Sequence, residues 1–485
     1  MRVLFATPEY APLVKTGGLG DVSGALPRAL RRIGVDVRVL LPAYPALREF
    51  VAQSRDPVAL PALAGMPAAR IVHATLPGEV PAHLVDCPAL YDRGGGPYQD
   101  AGGRDWDDNA IRFALLARAA ASSASWPLEW RAEVVHCNDW QTALAPVYFA
   151  HASRPRAATL MTVHNLAFQG IFPAAAFSGL GLPAETFSVG GLEYYGKVSF
   201  LKAGLRYADA LSTVSPGYAA EIRQPALGFG LHGLLAERSA VLSGILNGID
   251  VELWDPARDP WIARNYDART LETKAENKRA LQERTGLAPD RSLLLVGVVS
   301  RLTEQKGIDL VLEAADRILQ LPAQLVILGK GEIVLERALV ALARAHPERV
   351  SVRIGFDEPL AHRIEAGADV LLMPSRFEPC GMNQMYSQRY GTIPVVRATG
   401  GLVDSVTDCT PATRDDGTAT GFRFAEARAA DLVRALERAR AAWRNRDLWR
   451  ALQRSAMARD FGWDAGARMY AALYERIASA SQARQ

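Results

Sequence analysis

Lys15 stands in the run Lys15-Thr16-Gly17-Gly18-Leu19-Gly20-Asp21. Glycines let backbone N–H groups approach an anion closely, and the lysine adds a positive charge. The run therefore reads as a candidate anion site made of Lys15, Gly17, Gly18 and Asp21, against the plain alternative of a surface lysine in a tight turn. It is neither GxGxxG nor a P-loop, which turns the reading away from dinucleotides and ordinary NTPases. Arg301 and Lys306 flank Leu302-Thr303-Glu304-Gln305. Two cations so placed suit a departing diphosphate without a metal; by residue type alone they are two solvated charges. Glu378 lies in Ser375-Arg376-Phe377-Glu378-Pro379-Cys380-Gly381-Met382-Asn383-Gln384. A carboxylate there can bind sugar hydroxyls or stabilise positive charge at a reacting carbon. The plainer reading is a carboxylate answering a helix dipole. Cys380 has no histidine near it in sequence and reads as a small packed side chain rather than a nucleophile. His136, Asp139 and His164 invite a metal, but no HExxH or carboxylate cluster accompanies them. Polar side chains that hydrogen-bond a polar substrate are the better reading, and no metal is expected. Tyr98, beside Gly94-Gly95-Gly96, reads as a ring that stacks on a sugar at a cleft rim.

Alternating strands and helices must position these groups. Val3–Thr7 reads as a buried strand, and Val35–Leu41 as the next. Between them Val22, Leu26, Ala29, Leu30 and Ile33 recur at helical spacing, with Pro27 as a kink or true start and Gly34 as the C-cap. Such a strand–helix–strand unit implies a parallel sheet. Further strands fall at 134–136, 158–163 and 210–214, with Ser215-Pro216 opening a helix. A second set comprises strands at 293–299, 324–328, 350–354, 370–373 and 393–396. After its first strand, Ile308, Val311, Leu312, Ala315, Ile318 and Leu319 mark a helix face. The fold class is α/β with two Rossmann-like domains: 1–243, then 244–459, with a terminal helix from 460 to 485 whose apolar face is Met469, Leu473 and Ile477. Arg301, Lys306 and Glu378 then follow strands, at the edge where parallel sheets bind ligands. Thr399-Gly400-Gly401-Leu402-Val403-Asp404 echoes the run at Thr16, so each domain offers a glycine-rich helix start.

With 485 residues, about 150 per domain implies two or three domains. The 49% apolar fraction is enough for a sizeable core and excludes a disordered chain. Lys plus Arg is 55 and Asp plus Glu 52, a balance that favours neither nucleic acid nor a membrane surface as partner. No apolar run is long enough for a membrane span, and Met1–Glu9 is too short for a signal peptide. Four scattered cysteines without CxxC spacing suit a reducing cytoplasm.

In chain order, Lys15-Thr16-Gly17-Gly18-Leu19, Asp139-Trp140, His164-Asn165, Asn247-Gly248-Ile249-Asp250, Ser300-Arg301-Leu302, Gln305-Lys306-Gly307, Arg376-Phe377-Glu378-Pro379-Cys380-Gly381 and Thr399-Gly400-Gly401-Leu402 resemble the glycogen/starch synthase family of retaining glycosyltransferases that use ADP-glucose. The ordered set spans nearly the whole chain and is specific where any single piece is not. The resemblance implies a GT-B fold with a cleft between its domains. It implies glucose transfer from ADP-glucose to the non-reducing end of an α-1,4-glucan such as glycogen, with retention, no metal, and no cofactor beyond the substrate. It assigns Lys15, Arg301 and Lys306 to the diphosphate. It assigns His164, Asn247, Glu378 and the backbone at Cys380 and Gly381 to the glucose, with Asp139 near the sugar or acceptor. Asn383, where some relatives have Thr, can still donate to phosphate, and Thr399, Gly400 and Gly401 line the same site. Tyr386 stands where wider relatives carry a second glutamate, so a two-carboxylate scheme does not transfer. No motif reads adenine against uracil; the donor base rests on the resemblance. The alternatives are a UDP-sugar-dependent retaining transferase and a non-catalytic glucan-binding protein. A dehydrogenase loses for want of GxGxxG, and a glucan phosphorylase needs pyridoxal phosphate.

Overall fold

The structure, a computed structural model, describes residues 1–54, 56–152 and 156–483. It falls into two compact units, Met1–Gly248 with Trp463–Gln485, and Ile249–Gly462. The sequence reading set its breaks at 243/244 and 459/460. The backbone shows why the residues between divide as they do. Asn247 N–H donates to the Val214 carbonyl in the first unit, whereas Ile249 N–H donates to that of Phe461 in the second. Residues 484–485 of the terminal segment lie outside the described residues.

The first unit contains β1 (Arg2–Ala6), β2 (Asp36–Pro42), β3 (Val58–Leu60), β4 (Ala69–Leu76), β5 (Val80–Asp86), β6 (Val134–Asn138), β7 (Ala158–Val163), β8 (Ile171–Pro173), β9 (Glu193–Tyr194), β10 (Lys197–Ser199), β11 (Ala210–Thr213) and β12 (Leu242–Gly244). Nine of them form one sheet in the order β12-β11-β7-β6-β1-β2-β5-β4-β3, and β8-β10-β9 form a small antiparallel one. The sequence implied a parallel sheet, but β4 runs antiparallel to both β3 and β5. The turn Pro77-Gly78-Glu79, with φ of 79° at Gly78 and 57° at Glu79, reverses the chain between β4 and β5. So short a connection can join only antiparallel neighbours.

Helix Gly18–Arg32 follows β1 and buries Val22, Leu26, Ala29 and Leu30. Pro27 lies inside it rather than starting it, and Ile33 is an exposed C-cap rather than part of the buried face. Gly34, at φ 89°, stops the helix as expected. The terminal helix, Trp463–Gln482, packs on Gly18–Arg32 and on β6 and β7. Its predicted face needs correction. Met469 is 51% exposed, while Ala467, Tyr470, Leu473, Tyr474, Ile477 and Ala478 are buried. Those positions follow one stripe at three- and four-residue steps, and Met469 falls about 100° off it.

The second unit contains β13 (Leu294–Val299), β14 (Ala323–Gly329), β15 (Val350–Ile354), β16 (Val370–Met373), β17 (Ile393–Arg397) and β18 (Phe422–Phe424). All pair in parallel, in the order β15-β14-β13-β16-β17-β18. Leu294, Val296 and Val298 feed one core and Leu295 another, on opposite faces. That explains why the strand reads as continuously apolar: both faces are covered.

Each of the two large sheets has a point where the order of its parallel strands reverses. β1 lies between β2 and β6, and β13 between β14 and β16. Loops leaving adjacent strands there turn to opposite faces and open a crevice at the C-terminal edge. No helix among the described residues is long and apolar enough to cross a membrane.

Candidate active site

At the first unit's reversal point, the loop after β1 is organised by a residue the sequence reading missed. Glu9 is buried, and its Oε2 accepts from the N–H groups of Thr16 (2.7 Å) and Gly17 (3.3 Å). Its Oε1 accepts from Thr16 Oγ1 and from the Tyr98 hydroxyl, both at 2.5 Å. Two N–H groups expected to face an external anion are therefore satisfied by the chain's own carboxylate. The available signal was an acid three residues beyond a buried strand. Gly17 caps the helix and has open space where a Cβ would stand. Lys15 Nζ lies 2.7 Å from Asp21 Oδ1, and both side chains are partly exposed. Tyr98 is no sugar platform. Its ring packs against Phe113 and Trp140, and its carbonyl accepts from Asn109 Nδ2.

Asp139 follows β6 with φ 55°, a left-handed conformation rare for a side chain other than glycine. Its Oδ1 accepts from the His164 N–H at 2.6 Å. Burial pushes its pKa up to about 7, although the N–H groups of His164 and Asn165 pull the other way. His164 Nε2 lies 2.9 Å from Asn138 Oδ1. Asn138 Nδ2 donates to the Ala6 carbonyl at 3.0 Å, so its oxygen must be the atom facing the histidine. His164 therefore carries its proton on Nε2 and presents Nδ1 as an acceptor. Burial lowers its pKa to about 3, and the ring is neutral. His136 departs from the strand-end reading. It is fully buried, with Nδ1 2.8 Å from the Tyr474 hydroxyl and Nε2 2.6 Å from Thr162 Oγ1. It fastens the terminal helix to β6. Asn247 stands just beyond β12, and its buried Oδ1 has no hydrogen-bond partner among the described residues.

The second unit brings its predicted residues together at the β13/β16 reversal point. Gly307, at φ 69°, ends the loop after β13. A Cβ there would lie 2.1 Å from the Pro374 carbonyl oxygen, so only glycine lets this loop press against the segment after β16. That approach places Lys306 Nζ 2.5 Å from Glu378 Oε2. Ser375 Oγ donates to the same oxygen at 2.9 Å, and Glu378 is 4% exposed. Helix Asn383–Arg389 begins five residues later, so a helix dipole is not what holds this carboxylate. Arg301 Nη2 donates to Gln305 Oε1 at 3.0 Å. Arg376 pairs with Asp309, and Arg397 donates to the carbonyls of Ser375 and Arg376.

Thr399, Gly400 and Gly401 follow β17. Gly401 N–H donates to the Glu378 carbonyl at 3.1 Å. A Cβ at Gly401 would lie 2.3 Å from the Cys380 carbonyl oxygen. Gly400 (φ 46°) caps a short helix, and Thr399 is buried. Cys380 is buried too, and Gly381 takes φ 70°. Gln384 Nε2 holds both their carbonyls at 3.1 Å. Asn383 Nδ2 lies 2.5 Å from the Val299 carbonyl, so one of its donors is spent on the end of β13. Tyr386 is stacked on Trp254 with centroids 3.9 Å apart.

A further feature of this edge escaped the sequence reading. Phe356, just beyond β15, is 83% exposed, and Ile333 and Val334 beyond β14 are exposed as well. Gly355 N–H donates to the Gly329 carbonyl, and Leu302 bridges Gly331, so these loops lie beside the Arg301 loop. Nothing in local periodicity marks one phenylalanine after a strand as exposed. Among the described residues, no group of three or more His, Cys, Asp or Glu side chains is arranged to hold a metal.

Two doubly wound units with polar groups at their reversal points define a class, the GT-B glycosyltransferases. The catalytic domain of starch synthase IV from Arabidopsis thaliana, bound to ADP and acarbose, is 33% identical and superposes with a TM-score of 0.86 over 99% of both chains. Sucrose-phosphate synthase from Thermosynechococcus elongatus, 18% identical over 99% of both chains, shares the fold at a TM-score of 0.61. Residues 2–237 match the starch synthase catalytic domain family, and residues 280–451 match the glycosyl transferases group 1 family. The glycogen synthase of Aromatoleum aromaticum is 56% identical over 485 residues, covering 100% of this chain and 98% of that protein. That of Nitrosomonas eutropha is 52% identical, covering 98% and 96%. The chain belongs to the bacterial glycogen synthase family.

Proposed function

We propose that this glycosyltransferase moves glucose from ADP-glucose to the non-reducing end of an α-1,4-glucan, with retention at the anomeric carbon. The observation that carries the reading is the Lys306–Glu378 contact, at the reversal point of a sheet whose neighbouring loops supply Arg301 and Gly400–Gly401. A lysine ammonium has three donors. One is engaged by Glu378, leaving two for diphosphate oxygens, with Arg301 beside them. The C1–O bond to the diphosphate breaks, the bond from C1 to the acceptor oxygen forms on the same face, and the acceptor proton passes to the leaving diphosphate. Arg301 and Lys306 take up the charge that develops on it. Glu378 and the backbone at Cys380 and Gly381 hold the glucose, with Asn383 and Thr399 bracing that pocket wall.

In the first unit, Lys15 meets a donor phosphate, with Gly17 and Gly18 keeping that approach open and Asp21 its partner at rest. His164 and Asn247 serve the sugar, and the unpartnered Asn247 Oδ1 is the kind of buried acceptor that a ligand hydroxyl satisfies. Asp139, which accepts from the His164 N–H, has a proton affinity near neutrality. Phe356 offers its face to the nucleotide base. ADP-glucose is a substrate, and no cofactor enters this scheme. A cytoplasmic location fits such a substrate.

The test is nucleoside-diphosphate release from ADP-glucose and from UDP-glucose, each with and without glycogen. Glycogen-dependent ADP release far above UDP release is expected. A UDP preference overturns the donor, and no turnover with either donor overturns the activity.

A further inference from the structure

Glu9 is buried at the ligand edge of the first unit, yet the transfer scheme gives it no task. Its carboxylate accepts from the Thr16 and Gly17 N–H groups and from the Thr16 and Tyr98 hydroxyls, and it has no ion-pair partner among the described residues. Its backbone is fixed as well. Thr7 Oγ1 donates to the Glu9 carbonyl at 3.0 Å and lies 2.8 Å from Ser23 Oγ on helix Gly18–Arg32. Gly20 links the carboxylate to Lys15. A Cβ there would stand 3.2 Å from Glu9 Oε2 and 3.2 Å from Lys15 Cβ, so the carboxylate and the lysine stem pack over the same bare α-carbon. Tyr98 links it to the other side of the site. The ring lies against that of Trp140, the residue after Asp139, with centroids 6.4 Å apart. Burial, and then the Glu9 charge, raise the Tyr98 phenol well above its usual range, so it remains a donor to the carboxylate. The Glu9 charge is also felt at Asp139, where it adds to the effect of burial. Glu9 thus joins the loop that carries Lys15 to the loop that carries Asp139.

Given the transferase reading above, on which this rests, we propose that Glu9 is a positioning residue for glucose transfer: it fixes Lys15, Thr16 and Gly17 against Tyr98 and so sets where Lys15 Nζ meets the donor phosphate. A phosphate that took the Thr16 and Gly17 N–H groups for itself would strip a buried carboxylate of half its donors and set a second anion beside it. Glu9 therefore stays in place, and the donor approaches the lysine side chain, which is 45% exposed. In this role reach matters and charge does not. A glutamine has the same reach: its oxygen accepts from the two N–H groups while its NH2 donates to the Thr16 and Tyr98 hydroxyl oxygens. An aspartate keeps the charge but is one methylene too short to span from Thr16 to Tyr98.

The experiment measures kcat and KM for ADP-glucose at saturating glycogen, and the dissociation constant of ADP by calorimetry, on the whole protein. The variants are Glu9→Gln, Glu9→Asp, Glu9→Ala, Lys15→Ala and Glu9→Ala combined with Lys15→Ala, each checked for folding by urea denaturation. A misplacement of about 1 Å costs on the order of 10²-fold, so Glu9→Asp and Glu9→Ala should lower kcat/KM by about 10- to 100-fold and weaken ADP binding in parallel. Glu9→Gln should restore kcat/KM to within about threefold of the parent, and Glu9→Ala should cost less than about threefold once Lys15 is already alanine. A role in the fold alone predicts additive losses instead. Three results overturn the proposal: Glu9→Gln falling as far as Glu9→Asp, additive losses in the Lys15→Ala background, or tighter ADP binding by Glu9→Ala, which would make the carboxylate a competitor of the phosphate. If Glu9→Ala does not fold, Glu9→Asp carries the same cycle, and loss of the fold in both overturns the proposal too. Failure of the transferase reading shows separately, as a parent without glycogen-dependent turnover, and the ADP dissociation constants then carry the comparison.

Discussion

Glu378 and Lys306 form a buried contact in which each partner has a second task. Glu378→Gln keeps an acceptor for Ser375 and Lys306 but removes the negative charge that the proposed scheme sets against the glucose. We expect turnover to fall by about 10²–10³, with the melting temperature nearly unchanged. Lys306→Ala should cost a similar factor in turnover, and near-normal turnover in a folded Lys306→Ala protein would refute the same-face scheme. Asp139 gives a pH signature. Its folded pKa of about 7 lies above the roughly 3.9 of an unfolded aspartate, so the folded state binds more protons between those values. This residue therefore lowers stability progressively as pH rises from about 4 to about 7. Asp139→Asn should gain stability relative to the parent across that window and differ little in slope outside it, as read from urea denaturation at successive pH values. His164, neutral in the fold with a pKa of about 3, acts in the opposite sense: its contribution is full above about 6.5 and is lost as pH falls. The comparison is therefore made variant against parent. The types and spacing of these residues were legible in the sequence. Their partners were not, because Glu9 reaches Thr16 and Tyr98, and Lys306 reaches Glu378, across 7, 89 and 72 positions.

Loops at strand ends do the positioning. Gly307 and Gly401 are the points where two such loops touch through backbone, and neither has room for a methyl group. Gly401→Ala should separate the segment after β17 from that at Cys380 and lower turnover steeply while circular dichroism changes little. Phe356 tests the nucleotide end of the same edge. Removing a ring that stacks on a base costs about 1–3 kcal/mol, so Phe356→Ala should raise the KM for ADP-glucose about fivefold or more and leave kcat nearly unchanged. A normal KM would remove Phe356 from the donor site. At this scale the core strands of both sheets were readable from continuous apolar runs and the helices from three- and four-residue spacing. The antiparallel extension β3–β5 was not. Its membership in the sheet is decided by pairing with β2, a long-range contact without a local pattern.

In the molecule as a whole, the terminal helix Trp463–Gln482 completes the first unit although more than two hundred residues separate them. Tyr474→Phe leaves His136 Nδ1 buried without its partner, which should cost about 1–3 kcal/mol in urea denaturation. Ending the chain before Trp463 removes the buried Tyr470, Leu473, Tyr474 and Ile477, each worth about 1.5–3 kcal/mol of burial, and uncovers the surface of helix Gly18–Arg32, β6 and β7 that they pack on, so limited proteolysis should then degrade the first unit. The sequence by itself determined the strand–helix alternation, the two sheets and the ordered set of charged and glycine motifs, because burial on both faces and close backbone approach leave local marks in residue type. Tertiary structure alone decided that Glu9 fills the glycine loop, that His136 is a core fastener and not a site residue, that Tyr98 is a brace, and that the helix buries Tyr470 and not Met469. Those outcomes depend on which distant surfaces meet, and that is set by packing the whole chain rather than by any window of it.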